Sequence, residues 1–475
     1  MPRLVRAAAH GVLFCVIGCL ALFGQDETGR LFLKNFTPRD YRGADHVFCS
    51  LQIDSGVMFF GTEDRILEFD GTIWRSWNSS GYAVKSLVVV SESQILVASE
   101  GDWGLLTITG VERKYRSIPL PAEIPDNWQT HGATVGPDGE WILSVTGGLV
   151  IKPAGAPAYW MPFEEDNQEV PQIFNHRENV LVFSPSIGLN EWRMGKLVKI
   201  VATDELSPAS SISIADAPDR SSSTDSMLIG THDGRLFRRQ KNTIEQVDWP
   251  VTDLMVTTGI RSMRRLANGN LAVATNEQGI LLLSPEGAIV QRVDQLRGME
   301  SQTVHHLFED QEFGLWAGTD FGLSRVDLET PYTLFFRRDG LERSFINSFA
   351  RHEGRLHIGM DRGAYVLQPA QMDKGWNARF FPIPDMEAQA RSLLSTDHGL
   401  LIGTNEGLWW LPPGEEKPIQ ESTASLQGLE PVLTEKGQSQ NRFWWWQHDQ
   451  IGQGHWDGEQ WVIGDPIVTT PDSIK

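Results

Sequence analysis

Cysteine is nearly absent. The 475-residue chain holds three. Two of them, Cys15 and Cys19, fall in the first 24 residues, so removal of that segment would leave Cys49 alone and exclude an internal disulfide. The fold must then rest on packing. Cys49 sits in the alternation Val47, Cys49, Leu51 and is expected to be a small buried hydrophobe. Basic residues are also in deficit, with 41 Lys and Arg against 61 Asp and Glu and a formal charge of −20. Without the first 24 residues, which carry Arg3 and Arg6 and no acid, the charge is −22. Such a surface repels phosphate backbones and makes nucleic acid a poor partner. It also disfavours polyanions such as sulfated glycans, unless a local basic patch overrides the average.

Long helical stripes are missing, as are catalytic signatures. There is no G-x-S-x-G, no H-E-x-x-H and no glycine loop ending in Lys-Ser or Lys-Thr. His305 and His306 are adjacent in an expected strand, so their side chains should point to opposite faces and cannot share a metal. His352 and His357 straddle a turn at Gly354, and His448 and His455 flank another. No carboxylate set with metal-ligand spacing stands near any of them. The acidic turns Thr62-Glu63-Asp64, Asp320 and Asp361 suggest calcium at first sight, but an acid after a Gly-Thr strand more simply caps a hairpin turn. Neither an enzyme, a metal nor a cofactor is expected.

What is present is repetition. Phe308 to Asp327, FEDQEFGLWAGTDFGLSRVD, reads as two short strands, with turns at Glu312-Phe313-Gly314 and Asp320-Phe321-Gly322. Gly322 suits a positive-φ turn position. Gly318, lacking a side chain, would let a neighbouring sheet's backbone come close, and Thr319 can bond its hydroxyl locally. The same pattern begins at Met58, Met227, Leu271, Leu356 and Leu400. The anchors Gly230, Ala274, Gly318, Gly359 and Gly403 are spaced by 44, 44, 41 and 44 residues. Weaker copies surround Ala98, Ser144, Phe183 and Trp445, giving about ten units. Four short strands with turns need about 44 residues, the length of a β-propeller blade. With 45 Gly, 25 Pro and 17 Trp, the chain is expected to be all-β: a β-propeller of about ten four-stranded blade repeats. Trp74, Trp77, Trp316, Trp376, Trp409, Trp410, Trp444, Trp445, Trp446, Trp456 and Trp461 recur at strand positions, most of them as wedges between sheets.

Residues 1–24 read as a signal peptide, with Arg3 and Arg6 heading an apolar run from Gly11 to Phe23 that is short for a membrane span. Val16-Ile17-Gly18-Cys19 also has the form of a lipobox, which would make Cys19 a lipid anchor. The apolar residues Leu20 to Phe23 behind it favour ordinary cleavage, and an uncleaved anchor is a third option. The expected address is exported: periplasmic, or on the outer face of the cytoplasmic membrane.

Asn35-Phe36-Thr37-Pro38-Arg39-Asp40-Tyr41, then Gln52-Ile53-Asp54 with Gly56, Phe60-Gly61, and Glu68-Phe69-Asp70-Gly71 ending in Trp74-Arg75, resemble the first blade of the two-component regulator propeller family. Glu100-Gly101-Asp102-Trp103-Gly104-Leu105 is similar to that family's second blade, and Phe308 to Asp327 to its repeat. The resemblance implies an exported sensor propeller of bacterial signalling proteins, ahead of a membrane span and an output such as a kinase or cyclase. Arg65 in place of a turn glycine and Met360 in place of a threonine depart from the pattern.

Two stretches look like seams. Ser207 to Asp225 is either a disordered blade tip or an insertion over one face of the disc. Thr330 to Phe335 echoes Phe36-Thr37-Pro38, which suggests a seven-bladed β-propeller over 25–336 and a partial second β-propeller of about three blades over 337–475. An open arc is costly alone. Three explanations are open: the natural protein is longer, all ten units close into one wide ring, or a partner completes the arc. The first is favoured by the resemblance.

Docking repeats of quinoprotein dehydrogenases and the S-x-D-x-G-x-T-W turns of sialidases are absent. A lyase built from scattered His, Tyr and Arg would leave no local motif and stays open. The ligand-binding candidates are Glu100, Asp102 and Trp103, with Trp103 carried exposed on its turn to stack on a sugar ring. The expected function is a ligand-sensing module for an extracellular small molecule or glycan. Its kinase or cyclase output would lie in trans or in a longer form of the chain, and a homodimer is compatible. The alternative is a secreted glycan- or protein-binding scaffold without output.

Overall fold

The structure, a computed structural model, describes residues 26–79, 82–163, 167–217, 226–434 and 437–469. The expected signal peptide with Cys15 and Cys19, and the end of the Ser207–Asp225 stretch from residue 218, lie outside the described residues. The chain is all-β. It forms ten four-stranded antiparallel sheets, the blades of a propeller architecture, and within nine of them strand order follows the sequence. Two compact units result: 31–332, and 333–469 together with residues 26–30.

The first unit holds seven blades, over 47–77, 84–117, 133–162, 172–201, 212–246, 262–293 and 304–327. The innermost strand of each packs against that of the next. Val304–Glu309 of blade 7 returns to Val47–Gln52 of blade 1 and closes the ring. Blade 7 supplies three strands from its own window. Its fourth, outermost strand is Phe32–Phe36, paired antiparallel with Phe32 opposite Asp327 and Phe36 opposite Leu323. Residues 35 and 36, read from the sequence as the opening of the first blade, thus complete the last one. The pairing ties the start of the unit to its last blade and so closes the ring through backbone hydrogen bonds.

Aromatic side chains fill this seam. Phe36 stacks on Trp316 with ring centroids 5.5 Å apart and meets Phe69 and Trp74 edge-on at 5.4 and 5.3 Å. Trp316 and Trp74 thus act as the expected wedges, in a cluster with Phe60 and Leu323. The Trp316 indole donates to the buried Asp310 carboxylate at 2.8 Å, which also accepts from Arg325 Nε at 2.8 Å. Trp376, by contrast, is exposed.

The repeat's glycine works by absence of bulk. A Cβ at Gly318 would stand 2.5 Å from the carbonyl oxygen of Val47 in blade 1, and one at Gly61 would stand 2.6 Å from that of Val84 in blade 2. Gly322 has φ +97° at its hairpin turn. The threonine at the end of the second strand closes the turn in four blades of this unit. Thr319 Oγ1 donates to Gly322 O at 3.0 Å, with equivalent bonds from Thr62, Thr231 and Thr275 to Arg65, Arg235 and Gly279 carbonyls at 2.9, 3.1 and 3.0 Å. The four weaker sequence copies prove to be the second strands of their blades: Gln94–Ser99, Trp141–Val145, Asn179–Ser184 and Gly437–Trp446. Within Ser207–Asp225, Ile212–Asp216 is the innermost strand of blade 5. Ile212 and Ala215 are buried there, so this part is neither a disordered tip nor an insertion.

The second unit has three blades, over 346–382, 390–422 and 428–469, whose innermost strands pack in series. Residues 26–30 strap it. Arg30 and Leu334 exchange backbone hydrogen bonds at 2.9 Å, and the Arg30 guanidinium pairs with Asp339 at 2.8 Å, both side chains buried. Arg351 grips Glu27 with two bonds of 2.8 Å.

Adding one methyl group at Gly318 tests the close approach. Overpacking at such a contact costs about 1–3 kcal/mol, so Gly318→Ala should lower the unfolding free energy of the seven-bladed unit by that amount in urea titrations, read as a lower midpoint at unchanged slope. An unchanged midpoint would contradict the contact.

Candidate functional site

In an antiparallel pair, a bulge inserts one residue and re-aims its side chain. The innermost strands carry bulges at equivalent points: register shifts separate Val47 from Cys49, Val84 from Ser86 and Val304 from His306. The bulged residues are Phe48, Lys85 and His305. All three turn into a central cavity of about 710 Å³, walled by the innermost strands of all seven blades. The bulge also overturns the alternation expected for His305 and His306, because both line the cavity.

Two of the three bulged residues face a hairpin-turn acid of their own blade. His305 Nε2 meets Asp320 Oδ1 at 2.5 Å, and Lys85 Nζ meets Glu100 Oε1 at 3.3 Å. In the three-bladed unit, the bulged Asn347 donates to Asp361 at 3.2 Å. Asp320 therefore holds the bulge while Thr319 caps the turn, and Asp361, which follows Met360, bonds the bulged Asn347; this corrects the capping role expected for Asp320 and Asp361.

The cavity mouth is a bonded chain. Arg261 donates through Nη1 to His305 Nδ1 at 3.1 Å, and its Nε bonds Asn276 Oδ1. Because guanidinium only donates, His305 is the neutral tautomer that carries its proton on Nε2 and gives it to Asp320. Burial lowers the pKa of His305, outweighing the opposing pull of Asp320. Burial would raise the Asp320 carboxyl, but bonds from His305 and the Thr303 hydroxyl hold it below the usual carboxylate range. His46 adjoins, 3.7 Å from Asp320 and 2.9 Å from Glu63. Across the mouth, Lys85 Nζ lies 3.7 Å from the Phe48 ring centroid. Gln172 Nε2 lies 3.2 Å from His131 Nε2.

Burial pushes His306 down to about 4, with Arg264 adding to it, and the surrounding protein and Lys85 lower His131 although its ring is exposed to the cavity. His131 keeps a water-accessible edge toward the cavity. His306 Nε2 and the buried Ser50 Oγ have no hydrogen-bond partner among the described residues. Cys49 is buried as expected, its thiol pushed up to about 12 by desolvation. Among the described residues no group of three or more His, Cys, Asp and Glu side chains converges as a metal site. Nor is any helix there long and apolar enough to cross a membrane.

Of the three sequence candidates, Glu100 lines the cavity. Asp102 does not, and accepts instead from Tyr115 Oη at 2.6 Å and Ser117 Oγ at 3.0 Å. Trp103 is fully buried between blades 2 and 3 with Trp128, Leu143 and Val145. It has no face to offer a sugar, because its strand directs it into the inter-blade gap rather than outward on the turn. Sequence reasoning missed Phe48, Lys85, His131, Phe174, Arg261 and Arg264.

No protein-family model matches the chain, and no curated protein matches its sequence. Solved structures do. An extracellular domain assigned to a hybrid two-component system of B. thetaiotaomicron superposes with TM-score 0.63 at 16% identity, covering 91% of this chain and 60% of that one. Another, from a one-component system of the same organism, gives 0.50 at 16% identity over 90% and 58%. Streptogramin B lyase gives 0.51 at 14% identity over 63% and 98%. The chain thus spans about 60% of the length of the two extracellular domains. At these identities the likeness is one of fold.

The neutral state of His306 is testable through stability. Its pKa is about 4 in the fold against about 6.5 in the unfolded chain, so the unfolded state binds the proton first. Stability from this group is complete above pH 6.5 and drains as pH falls toward 4. The wild type should lose stability over that window, and His306→Gln should flatten the slope. Equal slopes by denaturant titration would contradict the buried neutral imidazole.

Proposed function

We propose that this chain is the ligand-sensing propeller of an exported bacterial signalling receptor. It binds an extracellular small molecule or glycan fragment without transforming it. The output, a kinase or cyclase, lies in trans or in a longer form of the chain, and the propeller stands in the periplasm or on the outer face of the cytoplasmic membrane. One observation carries the reading: the blade series is shared, over nine-tenths of this chain, with an extracellular domain assigned to a hybrid two-component system. The motifs at Asn35–Tyr41, Glu100–Leu105 and Phe308–Asp327, similar to the two-component regulator propeller family, support it. So does a central cavity whose lining groups are held in place by bulges and turn acids, as a pre-formed binding site requires.

Deleting the gene in its host and profiling transcription while candidate ligands are varied tests the reading. A sensor predicts that induction of one gene set by one class of compound is lost. Intact induction with loss of ligand retention at the cell surface would favour the scaffold reading, and turnover of a polysaccharide by the purified chain would favour a lyase.

A further inference from the structure

The cavity's charge runs against that of the molecule. In a chain of net charge −20, its wall carries three cations, Lys85, Arg261 and Arg264, and one carboxylate, Glu100. Glu100 is engaged by Lys85. Of the acids adjoining the wall, Asp320 is taken by His305 and Glu63 by His46. Arg264 is exposed to the cavity, lies 5.7 Å from the Phe308 ring centroid, and has no carboxylate partner among the described residues. In the wall around it, the buried His306 Nε2 and the buried Ser50 hydroxyl have no hydrogen-bond partner among the described residues. Phe48 and Phe174 contribute half-buried rings to the same wall.

We infer that this cavity receives a small organic carboxylate, with Arg264 as its principal anchor and Phe48 and Phe174 against its body. The inference rests on the reading of the cavity as the sensor's ligand site. A guanidinium without a partner offers a carboxylate two parallel donors. His131, exposed to the cavity, adds hydrogen bonding without charge, since a neutral imidazole supplies one donor and one acceptor. A volume of about 710 Å³ falls in the range of small-molecule sites. The overall negative field excludes large polyanions from the surface, while the local cations select one small anion at the axis.

Benzoate and gluconate are titrated into the purified chain against their neutral counterparts, benzyl alcohol and sorbitol. Binding is read by calorimetry and by the ring resonances of His131 and His306. At least one carboxylate should bind at least tenfold more tightly than its neutral counterpart, and Arg264→Gln should erase that preference. Because Arg264 is exposed, its replacement should leave the unfolding midpoint in place, which separates lost binding from lost fold. The body of the preferred carboxylate, flat or polyhydroxylated, follows from which probe wins. Neutral probes that bind as tightly as the anions, or anion binding untouched by Arg264→Gln, would overturn the inference and leave the sensing reading standing. Silence of the cavity resonances with all four probes would also overturn it, and the gene-deletion experiment would then decide the sensing reading on its own.

Discussion

The structure depends on how closely one blade's second strand approaches the next blade's innermost strand. Where the repeat places glycine, as at Gly61 and Gly318, the neighbour's carbonyl oxygen occupies the space a Cβ would need. That proximity sets the radius of the ring. A wider gap would leave the wedges Trp316 and Phe60 without partners, and unfilled volume in a core costs stability in proportion to its size. The same geometry brings seven innermost strands around one axis, so the cavity is a by-product of blade packing.

Function enters through departures from regularity. A uniform innermost strand would direct its side chains alternately into the two flanking inter-blade layers. The bulges at Phe48, Lys85 and His305 instead aim large side chains down the axis, and hairpin-turn acids from the same blades restrain two of them. Changing one bulged residue therefore alters the cavity without disturbing the hydrophobic layers on either side.

Much of the fold was legible because the repeat's physical demands are local. Gly318, Thr319 and Gly322 each announced a contact, a cap or a turn, and each is found in that role. The closing strand was not legible, because pairing Phe32–Phe36 with Gly322–Asp327 joins segments at opposite ends of the unit and leaves no local pattern. Trp103 misled because a turn glycine and two acids beside it suggested exposure, whereas its strand register sends it inward. The cavity residues did leave a trace. His305 and Asp320 are 15 residues apart, as are Arg261 and Asn276, while Asn347 and Asp361 are separated by 14. Reading that spacing as a side-chain contact requires knowing that a bulge breaks the strand's alternation.

The most direct measurement of ring closure is amide hydrogen exchange along Phe32–Phe36. A strand locked into blade 7 should exchange as slowly as its partner Gly322–Asp327, with both released together in the global unfolding of the seven-bladed unit. Exchange of 32–36 within seconds, while 322–327 stays protected, would show an open seventh blade and contradict the closed ring from which the cavity follows.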